Sequence, residues 1–138
     1  MNVPGGMTAL IAVLAAVPVM AKTGVKAAFI QGTYATDHEC KKLRAVEAGG
    51  PKNVATAPEL LTSDGFLGWE NWCSFASIKA SPVKRNGGDA FVAKMSCGEG
   101  PETWTDTYRF KRRADGAIDV TVKGKTTRHL RCDPKTKG

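Results

Sequence analysis

The stretch Trp104–Cys132, WTDTYRFKRRADGAIDVTVKGKTTRHLRC, decides the fold. Its apolar residues alternate with polar ones in three runs, Trp104–Arg112, Ala117–Lys123 and Thr127–Cys132, separated by turn signals that contain glycine. A period of two is the mark of a half-buried strand, so the stretch predicts a three-stranded antiparallel meander. A three-residue loop Ala114-Asp115-Gly116, with Gly116 free to take positive φ, sets Phe110 opposite Val120 and Tyr108 opposite Val122 on one face. A two-residue Asp115-Gly116 loop sets Lys111 against Val120 and breaks that pattern. An odd-length loop around Gly124-Lys125-Thr126 is expected to place Val120 against Leu130 and Ile118 against Cys132.

Upstream, Asn71–Lys79 and Asp89–Cys97 read as a second antiparallel pair around the turn-rich segment Ser81–Gly88. Centring the ladder on Arg85 sets Phe75 against Met95, Ser77 against Ala93 and Cys73 against Cys97. Directly opposed strand positions lie within bridging range, so Cys73–Cys97 is the expected disulfide, and Cys40–Cys132 follows by elimination. None of the four cysteines has the close spacing of a zinc knuckle, a redox C-x-x-C or a haem site. With all four oxidised, His38 and Cys40 lack the further ligands a metal needs, and neither metal nor cofactor is expected.

Thr36-Asp37-His38-Glu39 has capping-box spacing and opens a helix over Asp37–Ala48, with Cys40, Leu43 and Val46 on its apolar stripe and Gly49-Gly50-Pro51 as its stop. Lys41, Lys42 and Arg44 fall mostly off the stripe and read as a solvated face. Val25–Thr33 is expected to form an opening strand, while Pro58–Leu61 is equally a helical turn or a short strand. The sum is a mainly β (α+β) domain: a small antiparallel sheet or barrel of about 5–6 strands with one short N-terminal helix and two disulfides. Residues 1–21 read as a cleavable secretory signal, because Met7–Ala21 carries no charge, Pro18 breaks its helix and Val19-Met20-Ala21 offers a cleavage site. That apolar run is shorter than the roughly 20 residues needed to span a bilayer. Residues 22–132 then make one domain, and 133–138 a fraying tail.

The chain has 138 residues, with 20 Lys and Arg against 13 Asp and Glu, and all of its net charge of +7 lies beyond Ala21. Its 42% hydrophobic content excludes a disordered chain, and its length excludes a multidomain enzyme. For an exported domain such a charge points to anionic wall polymers, lipid head groups or acidic proteins rather than nucleic acid. The expected meander register lines up Lys111, Asp119 and Arg131 on the outer face, with Arg109, Thr121 and His129 in the adjoining row. This cationic strip (Arg109, Lys111, His129, Arg131) is the candidate anion-binding surface. Two polar residues fall on the inner face, Asp106 and Arg128; they form either an ion pair or, with Trp104 as apolar wall, a pocket in the barrel mouth. Trp72 points away from Cys73 and Phe75 and is expected to pack beneath the helix. His38 and His129 are the only histidines, no Ser-His-Asp signature occurs, and Glu99 and Glu102 around Gly100-Pro101 read as solvated loop acids, so catalysis is not expected.

The run Pro58–Phe66, followed by Trp69-Glu70 and Cys73-Ser74-Phe75, resembles segments of small exported bacterial proteins of unassigned function. The resemblance covers most of the mature domain and implies export to the periplasm or beyond, with no catalytic residue or ligand attached. The architecture also invites comparison with periplasmic lysozyme-inhibitor barrels, but their motif is missing and a +7 domain matches a cationic lysozyme poorly. The expected function is therefore an exported, non-enzymatic binding or structural module. The alternative is a periplasmic inhibitor or accessory protein that inserts a loop, Ser81–Gly88 or Gly98–Thr103, into a protein partner.

Overall fold

The computed structural model describes residues 24–81 and 89–132. The expected leader, the tail and residues 82–88 of the Ser81–Gly88 loop lie outside the described residues. The fold is mainly β: β1 (Tyr34–Ala35), β2 (Leu60–Thr62), β3 (Gly65–Leu67), β4 (Asn71–Ala80), β5 (Ala90–Glu99), β6 (Glu102–Arg112), β7 (Ile118–Val122) and β8 (Lys125–Arg131) pair antiparallel in chain order. The barrel closes where β1 pairs with β8, and one helix, α1 (Asp37–Glu47), stands between β1 and β2. The expected 5–6 strands were an undercount. β1, β2 and β3 are two or three residues long, too short for alternation to reveal them.

The expected opening strand over Val25–Thr33 is instead a plug. Val25 N–H donates to the Phe75 carbonyl, Ala27 N–H to that of Ser63 and Ile30 N–H to that of Ala27, which turns the chain and buries Ala27, Phe29 and Ile30 in the core. Phe29 stacks on Phe91 with ring centroids 4.0 Å apart and meets Phe75 edge-on at 6.4 Å. Phe75, Phe110, Leu61, Met95 and Ile118 complete this core and are fully buried. Filling the barrel end with aromatic area outweighs the ladder bonds a ninth strand would add.

In the β4–β5 pair, Phe75 opposes Met95 and Cys73 opposes Cys97, as the alternation predicts. A bulge between Phe75 and Ser77 then shifts the register, so Ser77 opposes Lys94 rather than Ala93, and Ile78 takes the place beside Ala93. The extra residue reverses the phase of the strand and brings Ile78 to the core in place of a serine. The two disulfides are Cys73–Cys97, whose Cα atoms are 4.0 Å apart, and Cys40–Cys132, at 5.4 Å.

The β6–β7 hairpin has the expected three-residue loop. Arg113 N–H donates to the Ala117 carbonyl, Gly116 has φ 93°, and Phe110 and Tyr108 oppose Val120 and Val122. The β7–β8 hairpin differs from expectation. Its loop is the pair Lys123-Gly124, with φ of 51° and 76°, which sets Val120 against Thr127, Ile118 against His129 and Asp119 against Arg128. Consecutive left-handed residues twist as the flanking strands do, which favours this two-residue turn. The shift turns Leu130 and Cys132 away from the barrel, where Ala35, Cys40, Cys132, Leu43 and Leu60 form a second small core between barrel and helix. The β8 alternation therefore serves two cores on opposite faces of the strand.

Thr36 caps α1 by accepting the Glu39 N–H at 3.4 Å. Glu39 completes no capping box: one carboxylate oxygen takes Lys42 Nζ at 3.2 Å and the other accepts the Glu59 N–H at 3.1 Å. The helix thus holds the residue that leads into β2, and through it one edge of the barrel opening.

Candidate functional site: a barrel mouth and a cationic strand face

β1 pairs only with Leu130 and Arg131 of β8, so the opposite half of β8 has no neighbour on that side. The barrel is left open there. A cavity of about 260 Å³ enters between β8 and the β2–β3 hairpin, walled by Phe66, Tyr108, Trp104, Val120, Val122 and the Cys73 sulfur, with Glu59 and His129 among its polar groups. Phe66 lies 5.4 Å from the Tyr108 ring and meets the His129 ring edge-on at 5.9 Å. The Tyr108 hydroxyl is 3.8 Å from Cys73 Sγ.

Burial dominates the ionisation of these groups. It pushes the His129 imidazole below its ordinary value, only partly opposed by the Thr127 carbonyl and Asp119. His129 Nδ1 lies 3.2 Å from that carbonyl, which can only accept, so Nδ1 carries the proton and Nε2 is an acceptor. Glu59 is raised, first by burial and then by Glu39, against the pull of Lys42. Tyr108 is raised by burial and by the charges of Asp106 and Glu59. Glu59 thus brings an acidic group to the cavity of a protein whose net charge is +7.

Of the expected pocket residues, Trp104 lines this mouth and is 37% exposed. Asp106 faces inward opposite Met95, with Lys123 Nζ 3.8 Å from its carboxylate. Arg128 is on the other face, paired with Asp115, so the expected Asp106–Arg128 pair does not form. The β8 phase explains this, since it exchanges Arg128 for His129 on the inner side. Tyr108 and Val122 were legible as an inward pair. Glu59 carried no local signal, because a tertiary hydrogen bond to Glu39 places it.

The outer face keeps Arg109 and Lys111 but not the other two members of the expected strip. His129 faces inward, and Arg131 lies at the β1 edge opposite Tyr34, with its guanidinium over Gly32. The actual rows are Lys111, Asp119 and Arg128, then Lys79, Val92, Arg109 and Thr121, with Ser77, Lys94 and Thr107 beyond. Asp119, only 8% exposed, is held by Arg113 through Nε and Nη2, each 2.6 Å away. Asp89 takes Arg112 at 2.5 Å. Among the described residues, Lys79, Lys94, Arg109 and Lys111 have no acidic partner. A shallow groove of about 210 Å³ passes between Arg109, Lys111 and Ser81.

Trp72 lies over Gly98, where a Cβ would meet its ring at 2.5 Å, rather than beneath the helix. Glu99 and Glu102 oppose each other at an exposed strand end joined by Gly100-Pro101 alone, so the Gly98–Thr103 segment is a tight hairpin tip and not a long loop. No family model, curated protein or solved structure matches the chain. The two disulfides fit an oxidising, extracytoplasmic environment.

Proposed function

We propose that this protein is an exported, non-enzymatic binding module of the periplasm or cell exterior, whose cationic strand face contacts an anionic envelope polymer. One observation carries the reading: the acids on and beside that face are each taken by an arginine, Asp89 by Arg112, Asp119 by Arg113 and Asp115 by Arg128. Lys79, Lys94, Arg109 and Lys111 are left with their charge directed at solvent from three adjacent strands. Such a row attracts a repeating phosphate or carboxylate, and Arg109 adds a planar fork that grips either in bidentate fashion.

The test is binding of long-chain polyphosphate and polyglutamate to the intact domain at increasing salt. The affinity is expected to fall about tenfold or more over a fourfold rise in ionic strength, as exposed charge contacts are screened. The triple variant Lys94→Ala, Arg109→Ala, Lys111→Ala should lose most of it, while Arg131→Ala, at the barrel's other edge, should not. Undiminished binding by the triple variant would remove this face from the function.

A further inference from the structure

We infer that the barrel mouth is a binding site for a small organic cation, an ammonium group carried on an apolar body. This site is separate from the strand face: Arg109 and Lys111 point outward, whereas the mouth is cut from the barrel's interior. Small closed barrels commonly take one ligand at such an opening. The cavity of about 260 Å³ is just below the roughly 300–1,000 Å³ usual for drug-sized ligands, which limits the occupant to a small molecule.

The walls choose the charge. Phe66, Tyr108 and Trp104 offer π surface, which attracts cations through its quadrupole. Glu59 brings a carboxylate to the same cavity, and no side-chain hydrogen bond of a described residue occupies that carboxylate. Burial raises the Tyr108 hydroxyl first, and the charges of Asp106 and Glu59 add to it. The cations nearest these groups are already engaged, Lys42 with Glu39 and Lys123 with Asp106, and Lys125, opposite Val122, is exposed. His129 adds no opposing charge, because burial outweighs the Thr127 carbonyl and Asp119 and favours the neutral ring. An anion would be repelled by the Glu59 carboxylate, and a purely apolar guest would desolvate that carboxylate without compensating it. An ammonium on an aromatic or aliphatic stem satisfies both the carboxylate and the rings.

Three probes of nearly one shape separate the possibilities: 2-phenylethylammonium, neutral 2-phenylethanol and anionic phenylacetate, titrated against the full domain near pH 7 by ¹H–¹⁵N NMR. The overall +7 charge biases non-specific binding toward the anion, so a preference for the cation runs against the global field. The ammonium is expected to bind at least about tenfold more tightly than phenylacetate, with shifts centred on Phe66, Trp104 and Tyr108. Glu59→Gln should lower the ammonium affinity about tenfold and leave phenylethanol unchanged. Val122→Trp, which fills the cavity, should exclude all three, and an unchanged far-UV spectrum verifies that each variant is folded. Equal or tighter binding of phenylacetate, an ammonium affinity indifferent to Glu59→Gln, or no binding by any probe overturns the assignment. The strand-face triple variant should keep its ammonium affinity, and a loss of it would overturn the separation of the two sites.

Discussion

His129 enters the barrel with Nδ1 committed to the Thr127 carbonyl and its ring edge against Phe66. Burial lowers its pKa from the ordinary 6.5, so the unfolded chain takes up a proton at a higher pH than the folded one. Folding stability is then independent of His129 above about pH 6.5 and declines as pH falls below it, because the unfolded state binds more protons there. Urea midpoints measured between about pH 7.5 and 5 should decrease, and His129→Leu should flatten that slope. An equal slope in the variant would mean the ring charges freely in the fold. The inward position of His129 was not legible in the sequence, which places the same residue in the outer row beside Arg109. One loop residue separates the two outcomes, since strand side chains change face with every step.

The two hairpins of the meander show where local chemistry suffices and where it does not. Between β6 and β7, the Gly116 signal and the alternation of Tyr108 and Phe110 with Val120 and Val122 agree, and the register follows from either. Between β7 and β8 they conflict, because Leu130 and Cys132 are apolar yet lie off the barrel interior, Cys132 in the core beneath α1. The turn that resolves the conflict places Lys123 at φ 51°, a conformation that costs an L-residue roughly 1–2 kcal/mol. Lys123→Asn, which suits the first position of such a turn, should therefore stabilise the domain by about 0.5–1 kcal/mol in equilibrium denaturation. The Lys123–Asp106 contact given up is 3.8 Å long with the lysine largely exposed, and offsets little of this. A destabilised Asn variant would show that Lys123 is held by more than the turn. The bulge in β4 belongs to the same class: it brings Ile78 inward, yet nothing within Asn71–Lys79 marks it.

Over the whole molecule, closure depends on a two-residue strand and one distant covalent tie. β1 meets β8 through Tyr34 and Ala35 alone, and Cys40–Cys132 fastens α1 beside that seam across 92 positions of sequence. Cys73–Cys97 spans 24 positions and lies within an already extensive strand pair. By loop-closure entropy the longer tie contributes about 4–5 kcal/mol and the shorter about 3–4. The Cys40→Ala, Cys132→Ala double variant should accordingly lose more stability than Cys73→Ala, Cys97→Ala in urea denaturation; the reverse order would place the larger effect in local strand packing. The sequence by itself determined the β-rich class, the start of α1, the inward face of β6 and β7 and both disulfide pairings. These rest on periodicity, turn chemistry, the opposed positions of Cys73 and Cys97 in one strand pair and, for Cys40–Cys132, elimination. Only the tertiary structure decided the phase of β8, the Phe29 plug, the two-to-three-residue strands and the open mouth carrying Glu59. For such short segments the local preferences are nearly balanced, and burial against distant parts of the chain selects among them.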